Sequence, residues 1–235
     1  MSETLVWHEG EKIVNEVFSD TETFKRQNNK AYVEGTIDGK FEFSHRRYGV
    51  SYFSNHVRVT RLSGTDDIVP IIVHEKLIQD YLNSSMNNKY VKVSGQLRTY
   101  NITGKDGRKH VFLFLYVKDI SFEEFEEGKT RKENPNAVYL EGYVCKKPVI
   151  RRVNSGRIIT DLLLSVQGEF EKSDYIHCMT WGEAAYYARR ISVGEKVKIY
   201  GRFQSREYFK KFSPDSEEGE FRTTYEVSVR KISTY

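Results

Sequence analysis

Two stretches of the sequence would place aromatic rings beside positive charges on one side of a strand. In residues 197–208, apolar positions alternate with cationic or aromatic ones, as on a strand with one buried face. The outward positions are Lys198, Tyr200, Arg202, Gln204, Arg206 and Tyr208. In residues 175–181, Tyr175 and Trp181 share one side in the same way. Rings stack on unpaired bases and Arg or Lys contacts phosphates, so the pattern predicts a surface for single-stranded nucleic acid.

Composition and length favour two small β-rich domains. The chain has 235 residues, of which 38% are hydrophobic and 30% charged, and its 16 Tyr and 14 Phe are typical of strands. The net charge is +4, yet residues 1–28 and 122–135 are acidic, so the positive charge is concentrated in the two segments between and after them. No apolar run approaches the roughly 20 residues of a membrane helix, and the first residues lack a signal-peptide pattern. A cytoplasmic location without membrane contact is therefore expected.

An internal repeat divides the chain. Three short motifs recur in the same order and at nearly constant spacing, which favours a duplication over chance similarity. Residues 1–28 are interpreted as an N-terminal arm, 29–121 as a first domain, 122–135 as a linker and 136–235 as a second domain. The matched motifs are residues 32–35 with 139–142, 91–95 with 197–201, and 117–121 with 229–233.

Each repeat shows three strands, a short helix and two further strands. In the first repeat these are predicted at 31–37, 50–61, 68–73, helix 75–82, 91–100 and 110–120. In the second they are predicted at 137–144, 158–166, 175–181, helix 183–191, 196–208 and 221–232. This order fits the OB-fold, a small five-stranded barrel that binds oligonucleotides, and a sandwich or SH3-like barrel is the alternative. The fold class is therefore all-β with short helices, in two tandem OB-fold barrels.

The second repeat resembles the DNA-binding domain of bacterial single-stranded DNA-binding proteins. The resemblance rests on five blocks that occur in the family's order and span the whole domain, and it is much weaker over residues 29–121. The blocks are Asn-Ala-Val-Tyr-Leu-Glu-Gly at 136–142, Asn-Ser-Gly at 154–156, Tyr-Ile-His-Cys-Met-Thr-Trp-Gly-Glu-Ala at 175–184, Val-Lys-Ile-Tyr-Gly-Arg-Phe-Gln-Ser-Arg-Glu-Tyr at 197–208, and Thr-Thr-Tyr-Glu-Val at 223–227.

The resemblance implies a set of binding residues. Bases would stack on Phe170, Tyr175, Trp181 and Tyr208, and Arg206 would contact a phosphate. Arg202 and Lys198 continue the row of Arg206, and Tyr200 lies on the same predicted face. The secondary candidates are Arg151, Arg152, Arg157, Arg98 and Tyr100.

The first repeat departs from this pattern. Ile68 stands at the position that matches Tyr175, and His74 at the position that matches Trp181, so its stacking platform is expected to be lost. Its last strand is apolar on both faces, including a stripe of His110, Phe112, Phe114 and Tyr116. We expect that stripe to contact the second repeat or a second subunit, so the first domain is expected to serve assembly.

No catalytic motif, phosphate loop or set of metal ligands appears in the sequence, so neither an enzyme nor a cofactor or metal is expected. Cys145 and Cys178 are interpreted as reduced, buried thiols.

The sequence predicts a protein that binds and protects single-stranded DNA, with little sequence preference, during replication, recombination or repair. The resemblance implies a homodimer with four OB-folds, but the family's acidic tip does not follow the last predicted strand, which puts recruitment of replication or repair proteins in doubt. The alternatives are a primosome-type or accessory OB-fold protein that acts through protein contacts, and an RNA-binding OB-fold protein.

Overall fold

The computed structural model describes residues 28–37, 39–86, 89–103, 107, 109–123, 135–153, 155–168, 172–213 and 216–235. The arm and most of the predicted linker therefore lie outside the described residues. The first half contains β1 (Asn29–Ile37), β2 (Glu42–Arg47), β3 (Val50–Thr60), β4 (Asp66–His74), α1 (Glu75–Ile78), a 3-10 turn (Gln79–Tyr81), β5 (Lys89–Thr103) and β6 (Lys109–Glu123). The second half contains β7 (Asn136–Val144), β8 (Val149–Arg152), β9 (Ile158–Gln167), β10 (Ser173–Trp181), α2 (Glu183–Ala188), β11 (Lys196–Lys211) and β12 (Gly219–Thr234).

The strand order in each half is that of an OB-fold. The described strands form one sheet in the order β2-β3-β4-β6-β5-β1-β7-β11-β12-β10-β9-β8, and the pairs β1–β3 and β7–β9 bring the strands of each half round on themselves. The third and last main strands are parallel in both halves, as the pairs β4–β6 and β10–β12. The predicted fold class of two tandem OB-folds is confirmed. Strands β2 and β8 were not predicted because they are short and mostly exposed, so neither has a buried face to generate alternation.

Alternation along the strands supplies the core of each half. In β11, Val197, Ile199 and Phe203 are fully buried, as the sequence predicts, and Gly201 lies between them. In β10, Ile176 and Cys178 point inward. Burying a large apolar side chain contributes about 1.5–3 kcal/mol, so these repeated inward positions stabilise the barrel and leave the opposite face available.

The two halves are joined through the antiparallel pair β1–β7. Asn29 pairs with Leu140 and Val33 with Asn136, and Ala31 lies opposite Val138 at the centre. Because Ala31 and Val138 are matching positions of the repeat, the pair has the symmetry of an isologous dimer contact. The chain therefore contains within itself the two-fold arrangement of a pair of OB-folds.

A buried asparagine fixes each half to this seam. The amide nitrogen of Asn29 donates to the carbonyl of Leu97 at 2.8 Å, and its Oδ1 accepts from the N–H of Leu97 at 2.9 Å. Asn136 makes the same two contacts with the carbonyl and N–H of Phe203. Each side chain thus satisfies a buried donor and acceptor on the long strand beside it, at matching places in both repeats.

The repeated glycines of the motifs have a steric cause. A Cβ at Gly95 would lie 2.0 Å from the carbonyl oxygen of Tyr116, and one at Gly201 would lie 2.4 Å from that of Ser228. The strand register shifts at both places, so that Lys118 in β6 and Arg230 in β12 each have no opposite residue. Only glycine fits so close to the bulged partner strand.

The apolar stripe of β6 partly contacts the second half. The ring of Phe112 packs edge-to-face on Tyr225 of β12, with 5.4 Å between centroids. Phe114 is buried, whereas Val111 on the other face of the strand is exposed. The stripe was expected to contact the second repeat or a second subunit, and Phe112 contacts the second repeat.

Two further sequence-based expectations concern thiols and membranes. Cys178 is buried, and burial raises the pKa of its thiol, but Cys145 is only half-buried, so the expectation that both are buried is wrong for Cys145. Both are free thiols. Within the described residues, no helix has the length and apolar character needed to cross a membrane.

Replacing Asn136 by Ala tests the seam. The change leaves the buried N–H and carbonyl of Phe203 without their partner, so we expect the free energy of unfolding to fall by about 2–3 kcal/mol. Asn101→Ala, at an exposed position of β5, is the matched control and should change it by less than about 0.5 kcal/mol. Urea denaturation followed by circular dichroism measures both, and equal effects of the two changes would contradict the role assigned to Asn136.

Candidate nucleic-acid interface

A groove of about 850 Å³ lies where β3 and β4 of the first half face β10, β11 and β12 of the second. Its volume is within the roughly 300–1,000 Å³ of typical ligand clefts. Two aromatic rings, Trp181 and Tyr225, and two carboxylates, Asp66 and Glu207, line it. Five arginines also line it, namely Arg58, Arg61, Arg157, Arg202 and Arg206. The groove is therefore strongly cationic and contains rings.

Two strand features bring the predicted residues together. Trp181 is the last residue of β10, immediately before the turn at Gly182 into α2, so its half-buried ring reaches the edge of the groove. Arg202 and Arg206 point from the same side of β11 because four residues of a strand separate them. The structure thus places three of the predicted binding residues around one concave surface.

A polar network across the two halves forms the wall of this groove. The Nε of Arg61 donates to the buried carboxylate of Asp67 at 2.7 Å, and its Nη2 lies 3.5 Å from Oε1 of Gln204. Gln204 in turn donates to Glu226 at 2.8 Å, and Glu226 pairs with Arg206 at 3.6 Å. These contacts hold Arg61 and Arg206 in fixed positions on the two sides.

Arg202 lies in this network without a carboxylate of its own. Among the residues that the structure describes, no acidic side chain is within ion-pair distance of its guanidinium. Burial lowers the pKa of Arg202, and the nearby charges of Arg61 and Arg230 lower it further, while Asp67 only partly opposes them. An anion at this place would therefore relieve an existing repulsion.

Tyr208 lies beside Arg206 at the groove, whereas Tyr175 lies at a second contact between the halves, and both rings remain open to solvent. The guanidinium of Arg206 lies 5.7 Å from the ring centroid of Tyr208, which is 37% exposed. Tyr175 is 49% exposed, and its N–H donates to the hydroxyl of Thr99 in the first half at 3.3 Å. Both rings are accessible for stacking, although neither lines the groove itself. Phe170, the fourth predicted ring, lies outside the described residues.

The structure separates Lys198 and Tyr200 from the groove. The ammonium of Lys198 lies 4.4 Å from the ring centroid of Tyr235, and the ring of Tyr200 is 5.0 Å from that of Tyr139. Up to Gly201, β11 is paired on both sides, with β7 and β12, whereas beyond it only β12 remains. The outward face of the first part therefore belongs to the central sheet, and the prediction that all of these residues form one row is corrected.

The secondary candidates also divide. Arg157 lines the groove. Arg151 pairs with Asp161 at 2.7 Å, and Arg152 donates to the carbonyl of Gly156, so both hold the β8–β9 hairpin. Arg98 pairs with Asp174 of the second half at 3.4 Å, and Tyr100 packs on Phe112 and Phe114. Arg98 thus contributes to a contact between the two halves, and Tyr100 contributes to packing between β5 and β6, and neither residue lines the groove.

Several exposed rings and charges were not predicted. Arg58 and Arg61 line the groove from the first half, where only Arg98 and Tyr100 were predicted as secondary binding candidates. Arg58 is at an outward position in the alternation of β3, and this pattern could have predicted its exposure. Arg61 follows the end of the strand, so no periodic pattern predicts where it points. The hairpin of β11 and β12 also exposes Phe209, Phe212 and Phe221, next to Tyr208.

The first half keeps rings, but at different positions. His74 caps α1 by accepting from the N–H of Lys76. Tyr52 stands directly opposite His74, with 5.5 Å between ring centroids, and His45 stacks on Tyr52 at 4.8 Å. Rings of the first repeat thus also lie on the neighbouring strands β2 and β3, at positions other than those that match Tyr175 and Trp181.

Fold and surface together define a tandem OB-fold protein with a cationic, ring-lined groove between its halves. More specifically, residues 135–235 match the model of the Single-strand binding protein family.

Solved structures share the arrangement of both halves. The wild-type single-stranded DNA binding protein from Thermus aquaticus matches with a TM-score of 0.67 and 17% identity, over 89% of this chain and 94% of that chain. A deletion mutant of the same protein matches with a TM-score of 0.65 and 18% identity, over 89% and 95%. At this identity the likeness shows the shared fold. No curated protein sequence matches the chain.

Two arginines on the first half test the electrostatics of the groove wall. Arg61→Ala leaves the fully buried carboxylate of Asp67 without its main partner, so we expect the free energy of unfolding to fall by about 3 kcal/mol or more. Arg58→Ala removes an exposed pair with Asp66 and should cost less than about 1 kcal/mol. Denaturant titration of both variants measures the difference, and an Arg61→Ala variant as stable as Arg58→Ala would contradict the assigned pairing.

Proposed function

We propose that the chain binds single-stranded DNA with little sequence preference, mainly through its second half. The observation that carries the proposal is the convergence of Trp181, Arg202 and Arg206 on one groove, within the half that matches the Single-strand binding protein family model. Tyr208 is exposed beside Arg206 of this groove, and Tyr175 is exposed at the second contact between the halves. Both similar structures are of a single-stranded DNA binding protein.

The chemistry of these residues suits unpaired bases. Each base has a flat face that stacks on Trp or Tyr whatever its identity, at about 1–3 kcal/mol per base. The guanidinium groups match the phosphates, which are the same at every nucleotide. Duplex DNA buries the base faces against each other, so rings offer it little. The site therefore favours single strands and does not read their sequence.

The biological setting is part of the same proposal. Protection of single strands is needed during replication, recombination and repair, and a cytoplasmic, non-enzymatic protein fits that role. A homodimer would bring four OB-folds together and extend the path available to one strand. Replication or repair proteins are candidate partners for such an assembly.

Two other occupants are distinguished by experiment. Stacking on rings does not inspect the 2′-hydroxyl, so RNA is the first alternative. A protein partner, as expected of a primosome-type or accessory OB-fold protein, is the second. Anisotropy titrations with labelled oligo-dT, oligo-U and a duplex, between low and high salt, separate these cases. Tight binding of oligo-dT that weakens steeply with salt supports the proposal. No binding at low salt would overturn it, and preference for oligo-U would make the protein an RNA binder.

Removing two rings tests which half binds. Trp181→Ala combined with Tyr208→Ala should weaken oligo-dT binding at least about 30-fold, since each stacked base contributes about 1–3 kcal/mol. Tyr100→Ala, which removes an equally exposed ring of the first half, is the matched control and should change affinity much less. The same anisotropy titration measures both variants. Equal losses would show that the two halves bind alike.

A further inference from the structure

We propose that Arg61 of the first half and Arg202 of the second form one phosphate-binding site, so that both halves hold the bound strand. The inference rests on the proposed function and adds to it a contact by the half that the sequence analysis assigned to assembly. It follows from the geometry of the groove, from its charge balance and from a comparison with the symmetry-related place in the same chain.

The two walls of the groove are fixed relative to each other. The N–H of Ile68 in the first half donates to the hydroxyl of Ser205 at 2.8 Å, and the N–H of Ser205 donates to the carboxylate of Asp67 at 3.1 Å. Asp67 also holds Arg61. The same carboxylate therefore positions an arginine of its own half and the backbone of β11, three residues beyond Arg202. A site built from both arginines needs no rearrangement of the halves.

The charge balance of this place favours an anion. Asp67 is the carboxylate that accepts from Arg61, and Arg202 has no acidic side chain within ion-pair distance among the described residues. Arg202 is half-buried and is repelled by Arg61 and Arg230, which lowers its pKa. Guanidinium groups bind phosphate through a fork of two N–H donors. The Nε and Nη2 edge of Arg61 is held by both oxygens of Asp67, so an oxyanion between the two arginines would be bound by the fork of Arg202 and by the remaining Nη1 edge of Arg61. A carboxylate of an acidic peptide is the rival ligand, and the experiment below separates it.

The approximate two-fold axis provides an internal comparison. The contact of Asp67 and Ile68 with Ser205 has a symmetry-related counterpart, in which Asp174 and Tyr175 of the second half contact Thr99 of β5. The N–H of Thr99 donates to Asp174 at 2.7 Å. There Gly168 occupies the position of Arg61. The equivalence of Gly168 and Arg61 is supported by matching turn contacts. The N–H of Arg61 donates to the carbonyl of Thr65, and the N–H of Gly168 donates to the carbonyl of Lys172.

The ion pair of the second place is arranged differently. Arg98 from the opposite half pairs with Asp174 and passes through the space beside Gly168, where a Cβ would lie 2.6 Å from its guanidinium. The position of Arg202 is taken by Gln96. One arginine thus faces one aspartate, whereas the groove has two arginines around Asp67. The repeat has kept the same contact twice and made only one copy suitable for a phosphate.

Arg202→Gln is the direct test, because it installs the residue that the chain already has at the matching position of β5. We expect oligo-dT affinity to fall about ten-fold at low salt, and the slope of log affinity against log salt to decrease by roughly 0.7, as for the loss of one phosphate contact on a single strand. Arg189→Gln, which removes the same charge from an exposed position after α2, should change affinity by less than about two-fold. Equal effects of the two variants would overturn the inference.

A variant of Arg61 tests whether the first half takes part in binding the phosphate. Arg61→Lys keeps a positive charge beside Asp67 but removes the guanidinium fork, and it should weaken oligo-dT binding several-fold while thermal unfolding confirms that the protein is folded. If Arg202→Gln weakens binding and folded Arg61→Lys does not, the site belongs to the second half alone and the two-half proposal is wrong.

Oligo-dT molecules with a single neutral methylphosphonate linkage locate the phosphate. At one linkage the neutral group should weaken binding to the unmodified protein but not to Arg202→Gln, because the contact is already lost there. If no position of the neutral linkage shows this difference between the two proteins, the inference is contradicted. A labelled poly-glutamate peptide that binds in an Arg202-dependent manner, with oligo-dT affinity unchanged in Arg202→Gln, would also overturn it in favour of an acidic protein segment.

Wild-type binding separates this inference from the proposed function. If the unmodified protein binds oligo-dT and loses affinity with Trp181→Ala but not with Arg202→Gln, the proposed function stands and the phosphate site fails. If the unmodified protein does not bind oligo-dT at low salt, both fail.

Discussion

The antiparallel pairing of β1 with β7 determines where every other contact between the halves can form. Because the pair is centred on Ala31 and Val138, each half meets the other in the same way. Asn29 and Asn136 then attach the neighbouring strands β5 and β11 to this seam through buried backbone contacts. The start of β4 consequently reaches β11, and the start of β10 reaches β5. The groove exists because this seam holds two curved sheets side by side.

The same scaffold carries two different surfaces. Both halves use a buried aspartate, Asp67 or Asp174, to contact the long strand of the other half. Around Asp67 lie Arg61, Arg202 and the network to Arg206, and Trp181 closes the groove. Around Asp174 lies Arg98, and the exposed ring of Tyr175 follows in the chain. A duplicated fold has thus kept its architecture while the chemistry of its two matching sites has diverged.

Much of the fold could be predicted because it depends on periodicity. The alternation of β11 and the repeat of glycines such as Gly95 and Gly201 follow from burial and from a backbone approach that excludes a side chain. Lys198 was grouped with Arg202 because alternation gives the face of a strand but not the strands that border it. Arg61 could not be found in this way, since it follows a strand and acquires its role only from Asp67 and Gln204, far away in sequence. The polar contacts of Arg61 and Asp67 with β11 of the other half were the part that sequence patterns did not contain.

Photo-crosslinking tests the central claim most directly. Oligo-dT that carries 5-iododeoxyuridine at successive positions forms bonds on irradiation with the aromatic residues on which its bases stack, and mass spectrometry of the peptides identifies them. The account predicts crosslinks at Trp181, Tyr208 and Tyr175 of the second half, lost in competition with unlabelled oligo-dT. Crosslinks confined to the rings of the first half, such as Tyr52, or no specific crosslink under conditions of tight binding, would contradict it.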